Sequence, residues 1–81
     1  MNTVEITPKA FKQMRNFPKS DRAAILKAFK ELAHWPNCRN VKHLTQLDGY
    51  RLRIGDYRAF FTVDGNYIEI TEVKRRNEHT Y

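Results

Sequence analysis

The sequence predicts an α+β fold: two N-terminal helices packed on one face of a small, mainly antiparallel sheet, in the order β-α-α-β-β-β. Three observations carry that expectation. Ala24, Ile25, Ala28, Phe29 and Leu32 recur with the 3.6-residue period of a helix buried on one side. Residues 49–73 alternate apolar and polar side chains across two turn signals, Gly55-Asp56 and a second around Gly65. The chain has 81 residues, 41% of them hydrophobic, which suffices for one modest core. We therefore expect one domain over residues 1–81.

Val4-Glu5-Ile6 is a short strand candidate. Thr7-Pro8 then supplies an N-cap followed by proline at the first helical position. The first helix is expected over residues 8–16, with Phe11 and Met14 on its inner face, and Phe17-Pro18 ends it. Ser20 or Asp21 caps a second helix reaching about His34. Lys27 and Glu31, four apart, form a weak pair on its outer side. Trp35-Pro36-Asn37 stops it. Residues 38–48 read as a connector or single turn pinned by Val41, Leu44 and Leu47, which carries Lys42 and His43 toward the open side of the sheet.

Three strands follow. With Gly55-Asp56 as a two-residue loop, Ile54 faces Tyr57, Arg53 faces Arg58, Leu52 faces Ala59 and Arg51 faces Phe60. The second hairpin closes at Asp64-Gly65 or Gly65-Asn66. Period-two alternation assigns Leu52, Ile54, Tyr57, Ala59, Phe61, Val63, Ile68 and Ile70 to one face. The other face receives Arg51, Arg53, Arg58, Phe60, Thr62, Tyr67, Glu69, Thr71 and Val73. The economical packing sets the helices on the apolar face and leaves the arginine face open. Like charges opposed across strands are destabilising, so Arg53 beside Arg58 marks repulsion that a bound anion relieves.

Net charge is +6 and the isoelectric point lies near 9.8. Such a domain usually meets a polyanion. The charge is gathered, because Lys74-Arg75-Arg76 follows the last strand and extends the Arg51, Arg53 and Arg58 group. No apolar run approaches the roughly 20 residues of a membrane span. The opening MNTVEITPKAF lacks the apolar segment of a secretory signal. A lone Cys38 suits a reducing compartment, so a cytoplasmic protein is expected, and Cys38 itself reads as an incidental thiol. No Cys/His spacing suits zinc, and no cofactor is expected.

Arginines with Phe60, Tyr67 and Tyr81 nearby suit phosphate contact and base stacking on single-stranded RNA. The helices are committed to the core, which disfavours major-groove reading of duplex DNA. Cleaving RNA through its own 2′-OH also needs a base, an acid and charge stabilisation at phosphorus. Arginine stabilises charge but cannot act as base. His43, Glu78, His79 and Tyr81 are the candidate proton carriers, with His79 preferred because an imidazole titrates near neutrality.

The strings VKHL at 41–44, GYRLRIGDYR at 49–58 and VKRR at 73–76, continuing to Tyr81, resemble the RelE/ParE superfamily of bacterial toxins over nearly the whole chain. The resemblance implies the toxin of a type II toxin–antitoxin pair. RelE-like members are ribosome-dependent endoribonucleases that need no metal. They cut messenger RNA in the A site of the 70S ribosome by the 2′-OH route, and an acidic antitoxin neutralises them. ParE-like members instead poison DNA gyrase without cutting RNA. Arg58 falls on the family's phosphate-contacting arginine. Arg76 sits at the offset of its second catalytic arginine, although strand alternation aims Arg75 at the open face instead. Arg51 and Arg53 stand where RelE carries two lysines, one a candidate base, which leaves the base here open. Tyr81 matches the C-terminal tyrosine of the RelE-like branch, and His79 resembles the late histidine of the YoeB-like branch. Expected catalytic residues are therefore Arg58, Arg76, His79 and Tyr81, with Arg51, Arg53, Lys42, His43, Lys74 and Arg75 holding RNA.

Overall fold

A computed structural model describes residues 2–44 and 49–76. The elements are β1 (Thr3–Ile6), α1 (Pro8–Met14), α2 (Lys19–Glu31), a 3-10 turn (Leu32–His34), β2 (Val41–His43), β3 (Tyr50–Ile54), β4 (Tyr57–Asp64) and β5 (Tyr67–Arg75). The five strands lie in the order β1-β5-β4-β3-β2. β1 runs parallel to β5, and the other neighbours are antiparallel. The two helices pack on one face of this mixed sheet, as expected. The part of the connector expected to be a loop contains a strand, because Val41, Lys42 and His43 pair with Leu52, Arg51 and Tyr50.

The helix boundaries follow from capping. Thr7 Oγ1 accepts the Ala10 N–H, and Pro8 opens α1. α1 ends at Met14, two residues before the expected stop. α2 begins at Lys19 with Pro18 as its N-cap, so neither Ser20 nor Asp21 caps it. Asp21 is instead on the inner face, four residues before Ile25, and accepts a hydrogen bond from the Tyr57 hydroxyl at 2.7 Å.

The core joins Ala10, Met14, Ile25, Phe29 and Leu32 to Leu52, Tyr57, Ala59, Phe61, Ile68, Ile70 and Val73. Two inner-face assignments are overturned. Phe11 is 58% exposed, since α1 buries the i, i+4 pair Ala10 and Met14. Ala24 is also exposed, one position off the Ile25–Phe29 line. Trp35 packs edge-on to both Tyr50 and Phe61, closing the end of the core beyond α2.

The hairpins hold the expected β3–β4 register, including Arg53 opposite Arg58. Asp64 pairs with Tyr67, so Gly65-Asn66 forms the second turn. Gly55 and Gly65 sit at φ of 55° and 60°, in the left-handed region where glycine avoids the Cβ clash.

The largest departure lies in β5. Phe60 pairs with Glu72 while Phe61 pairs with Ile70, so Thr71 is an extra residue in a β-bulge. The Thr71 hydroxyl donates to the Phe60 carbonyl at 3.2 Å. Beyond the bulge the alternation changes phase. Val73, expected on the open face, is opposite Ala59 and 1% exposed. At the same place β1 has ended, and α1 covers the edge it leaves: the Val73 N–H donates to Gln13 Oε1 at 2.7 Å.

Candidate nucleic-acid interface

The face away from the helices is organised in cross-strand rows. Lys42, Arg51, Phe60 and Glu72 form one row across β2, β3, β4 and β5. Arg53, Arg58 and Lys74 form the next, nearer the β3–β4 turn. On the other side of the first row stand Thr62, Glu69 and Glu5. The face is thus graded from basic at the β3–β4 turn to acidic at β1. Tyr67 belongs to the acidic end. Its hydroxyl donates to Glu5 Oε2 at 2.6 Å, and that hydrogen bond first, then desolvation and the nearby carboxylates, push its pKa up to about 12.

At the basic end a hollow of about 170 Å³ is lined by Arg51, Arg53, Gly55, Asp56, Tyr57, Arg58 and Arg76. Arg51 and Arg58 are half-buried, and Arg53 and Arg76 are exposed. Among the described residues no carboxylate stands within ion-pair distance of Arg51 or Arg53. A guanidinium group presents paired N–H donors whose geometry suits a phosphate or carboxylate, and four arginines line this small opening together with Asp56.

The bulge decides which residue of the 74–76 run joins this hollow. Lys74 comes opposite Arg58 on the open face. Arg75 comes opposite Tyr57 on the helix side, with its guanidinium carbon 5.9 Å from that ring's centre. Continued alternation aimed Arg75 at the open face; that is corrected. Arg76 reaches the hollow because its N–H donates to the Asp56 carbonyl, tying the end of β5 to the β3–β4 turn.

The remaining expected residues divide similarly. Lys42 shares the open face with Arg51. His43 does not: it pairs with Tyr50 on the helix side, ring centres 5.0 Å apart. His79 and Tyr81, with Glu78, lie outside the described residues, as does Leu47. The Cys38 thiol donates to the Glu31 carbonyl at 3.4 Å. Burial, and then the Glu31 charge, raise its pKa, which disfavours the reactive thiolate. Among the described residues no group of three His, Cys, Asp or Glu side chains is placed to hold a metal ion.

One cluster was not expected. Glu72 is bridged by Lys9 from α1 at 3.0 Å and Lys74 from β5 at 3.3 Å. These lysines, Lys9 first, hold its carboxyl below the ordinary range against the opposing effect of burial. No local pattern announces Lys9, because only the docking of α1 beside β5 brings it there.

A small α+β fold with a basic open sheet face defines the class, and comparison supplies the family. The model of the ParE toxin of type II toxin–antitoxin systems matches residues 4–80, and the chain belongs to that family. Among solved structures, a chain of the RelBE2 toxin–antitoxin complex from Mycobacterium tuberculosis is 28% identical with a TM-score of 0.82, over 93% of this chain and 98% of that one. A chain of the archaeal RelE–RelB complex from Pyrococcus horikoshii is 26% identical, TM-score 0.77, over 95% and 97%. The isolated E. coli RelE toxin shares the fold at 17% identity, TM-score 0.79, over 99% and 89%. No curated protein matches the chain by sequence. Among the described residues no helix is long and apolar enough to cross a membrane.

Proposed function

We propose that this toxin is a cytoplasmic, ribosome-dependent endoribonuclease that cuts messenger RNA in the A site of the 70S ribosome. The observation that carries the reading is the phosphate-sized hollow ringed by Arg51, Arg53, Arg58 and Arg76. The RelE-type folds of its structural neighbours add support.

In this reading the 2′-OH of one nucleotide attacks the adjoining phosphorus. The P–O5′ bond breaks, leaving a 2′,3′-cyclic phosphate and a free 5′-OH. A base takes the 2′-OH proton, and an acid delivers one to the departing oxygen. Arg58 and Arg76 offset the charge that develops on the phosphoryl oxygens, the role in which fixed donors contribute most. Arg51, Arg53 and Lys42 hold the flanking backbone, and Lys74 stands beside Arg58. Arginine remains protonated and cannot move the proton. Proton transfer is assigned to the 77–81 segment, to His79 and Tyr81. An acidic, amphipathic antitoxin segment that covers the basic face is the matching protein partner, and two of the neighbours cited above come from toxin–antitoxin complexes.

A gyrase-poisoning toxin is the second reading, favoured by the match to the ParE model and by arginine at both positions where RelE carries lysine. Primer extension on translated messenger after induction separates the two. Discrete breaks within codons are expected. Intact messenger with DNA damage and filamentation would establish the gyrase reading instead.

A further inference from the structure

We propose that a second hollow on the open face holds one nucleobase of the bound RNA, laid on the Phe60 ring and read at its edge by Glu72 between Lys9 and Lys74, with guanine the base it favours. This inference rests on the RNA-cleaving reading above and names what that site selects.

The second hollow measures about 410 Å³ against about 170 Å³ for the arginine hollow. Its lining includes Lys9, Phe60, Thr62, Thr71, Glu72 and Lys74. The smaller opening suits a phosphate, and the larger suits a planar ring. Phe60 follows Arg58 by two residues on the same strand face, which separates them by about 7 Å along β4. A phosphate at Arg58 and a base on Phe60 are therefore within the reach of one nucleotide. Phe60 is half-buried, flanked in its row by Arg51 and Glu72, and so offers an aromatic surface of the kind on which bases stack.

The polar wall has a defined order. One oxygen of Glu72 lies 3.0 Å from the Lys9 ammonium and the other 3.3 Å from that of Lys74. A carboxylate has about four acceptor sites, so these two contacts leave capacity for N–H donors. Guanine presents adjacent N1–H and N2–H₂ donors with the O6 acceptor beside them. The donors match the carboxylate, and O6 matches a neighbouring ammonium. Adenine and cytosine each place a ring-nitrogen acceptor next to their amine, facing the carboxylate unfavourably. Uracil offers a single imino donor between two carbonyls.

The test uses the full-length toxin and ribosomes stalled with a vacant A site. The messenger carries G, A, C or U at each position of the A-site codon in turn. For the wild type we expect cleavage to be favoured by about tenfold when guanine occupies one fixed position, the discrimination typical of a well-matched base contact. Glu72→Gln should keep cutting but lose that preference, since its amide nitrogen meets the guanine donors. Phe60→Leu, which keeps an apolar side chain, should slow cleavage for all four bases alike. Wild-type cleavage indifferent to base, or a guanine preference that survives Glu72→Gln in a folded protein, would overturn the base site while leaving the nuclease reading intact. Absence of any cleavage by the wild type would overturn both.

Discussion

Arg53 and Arg58 face each other directly across β3 and β4, with Lys74 next to Arg58 on β5. Three cations in one cross-strand row act against the sheet that holds them, and Arg53 is exposed enough to be removed without opening the core. Arg53→Thr should raise the melting temperature by relieving repulsion of about 0.2–1 kcal/mol. Moderate salt should stabilise the wild type more than the variant, because screening removes the same term. Thermal denaturation at two salt concentrations checks both, and a lower melting point for Arg53→Thr would contradict the assigned cause.

Arg58→Ala should abolish toxicity while the chain stays folded, because the lost group serves the open face. A loss of about 10²–10³ in cleavage rate is the expected scale for removing one donor aimed at developing charge. Circular dichroism and growth after induction together decide it; arrest that persists in the folded variant would remove Arg58 from the site.

The phase change at Thr71 separates Arg75 from Arg76. Arg76→Ala should weaken cleavage strongly, and Arg75→Ala only slightly, because Arg75 lies over Tyr57 on the helix side. Val73→Ala should cost about 2 kcal/mol, the loss of two buried methyl equivalents with some cavity. A Val73 on the open face would give almost no loss, so urea denaturation reads the bulge directly.

Tyr57 donates to Asp21 at 2.7 Å, joining β4 to α2. That hydrogen bond first, then burial and the Asp21 and Asp56 charges, raise the phenol above its ordinary pKa of 10 against the opposing effect of Arg75. The folded protein therefore holds this proton to higher pH than the unfolded chain does. The linked stability is fully present below about pH 10 and declines as pH rises beyond it toward the folded value. Tyr57→Phe should cost about 1 kcal/mol at neutral pH. It should also show a shallower loss of stability above pH 10, measured by denaturation across an alkaline series.

Removal of Tyr81 should slow cleavage more than it weakens ribosome binding, as befits a proton carrier or stacking group rather than an anchor. Single-turnover cleavage compared with co-sedimentation checks this; unchanged cleavage would exclude a role.

Local signals made much of the architecture legible. The glycine turns set the β3–β4 register, and with it the Arg53–Arg58 opposition, because a two-residue loop leaves one pairing. The Ile25–Phe29–Leu32 stripe announced a one-sided helix, and period-two alternation named the open face from Arg51 to Thr62. The bulge also left a trace: Ile68 and Ile70 are two apart but Val73 is three further on, an apolar residue out of phase. Read strictly, period two placed it wrongly.

Tertiary contact decided the rest. Val41–His43 became a strand because the β3 edge offered it partners, and His43 then turned toward Tyr50 rather than toward the basic face. Phe11 is exposed because α1 docks beside β5 through Ala10 and Met14. Lys9 meets Glu72, and Arg76 meets the β3–β4 turn, across separations that no local pattern encodes. Turn geometry and side-chain period act over a few residues and can be read from a string. Which edge is covered, and which charge meets which, depends on how distant elements dock, and only the folded chain determines that.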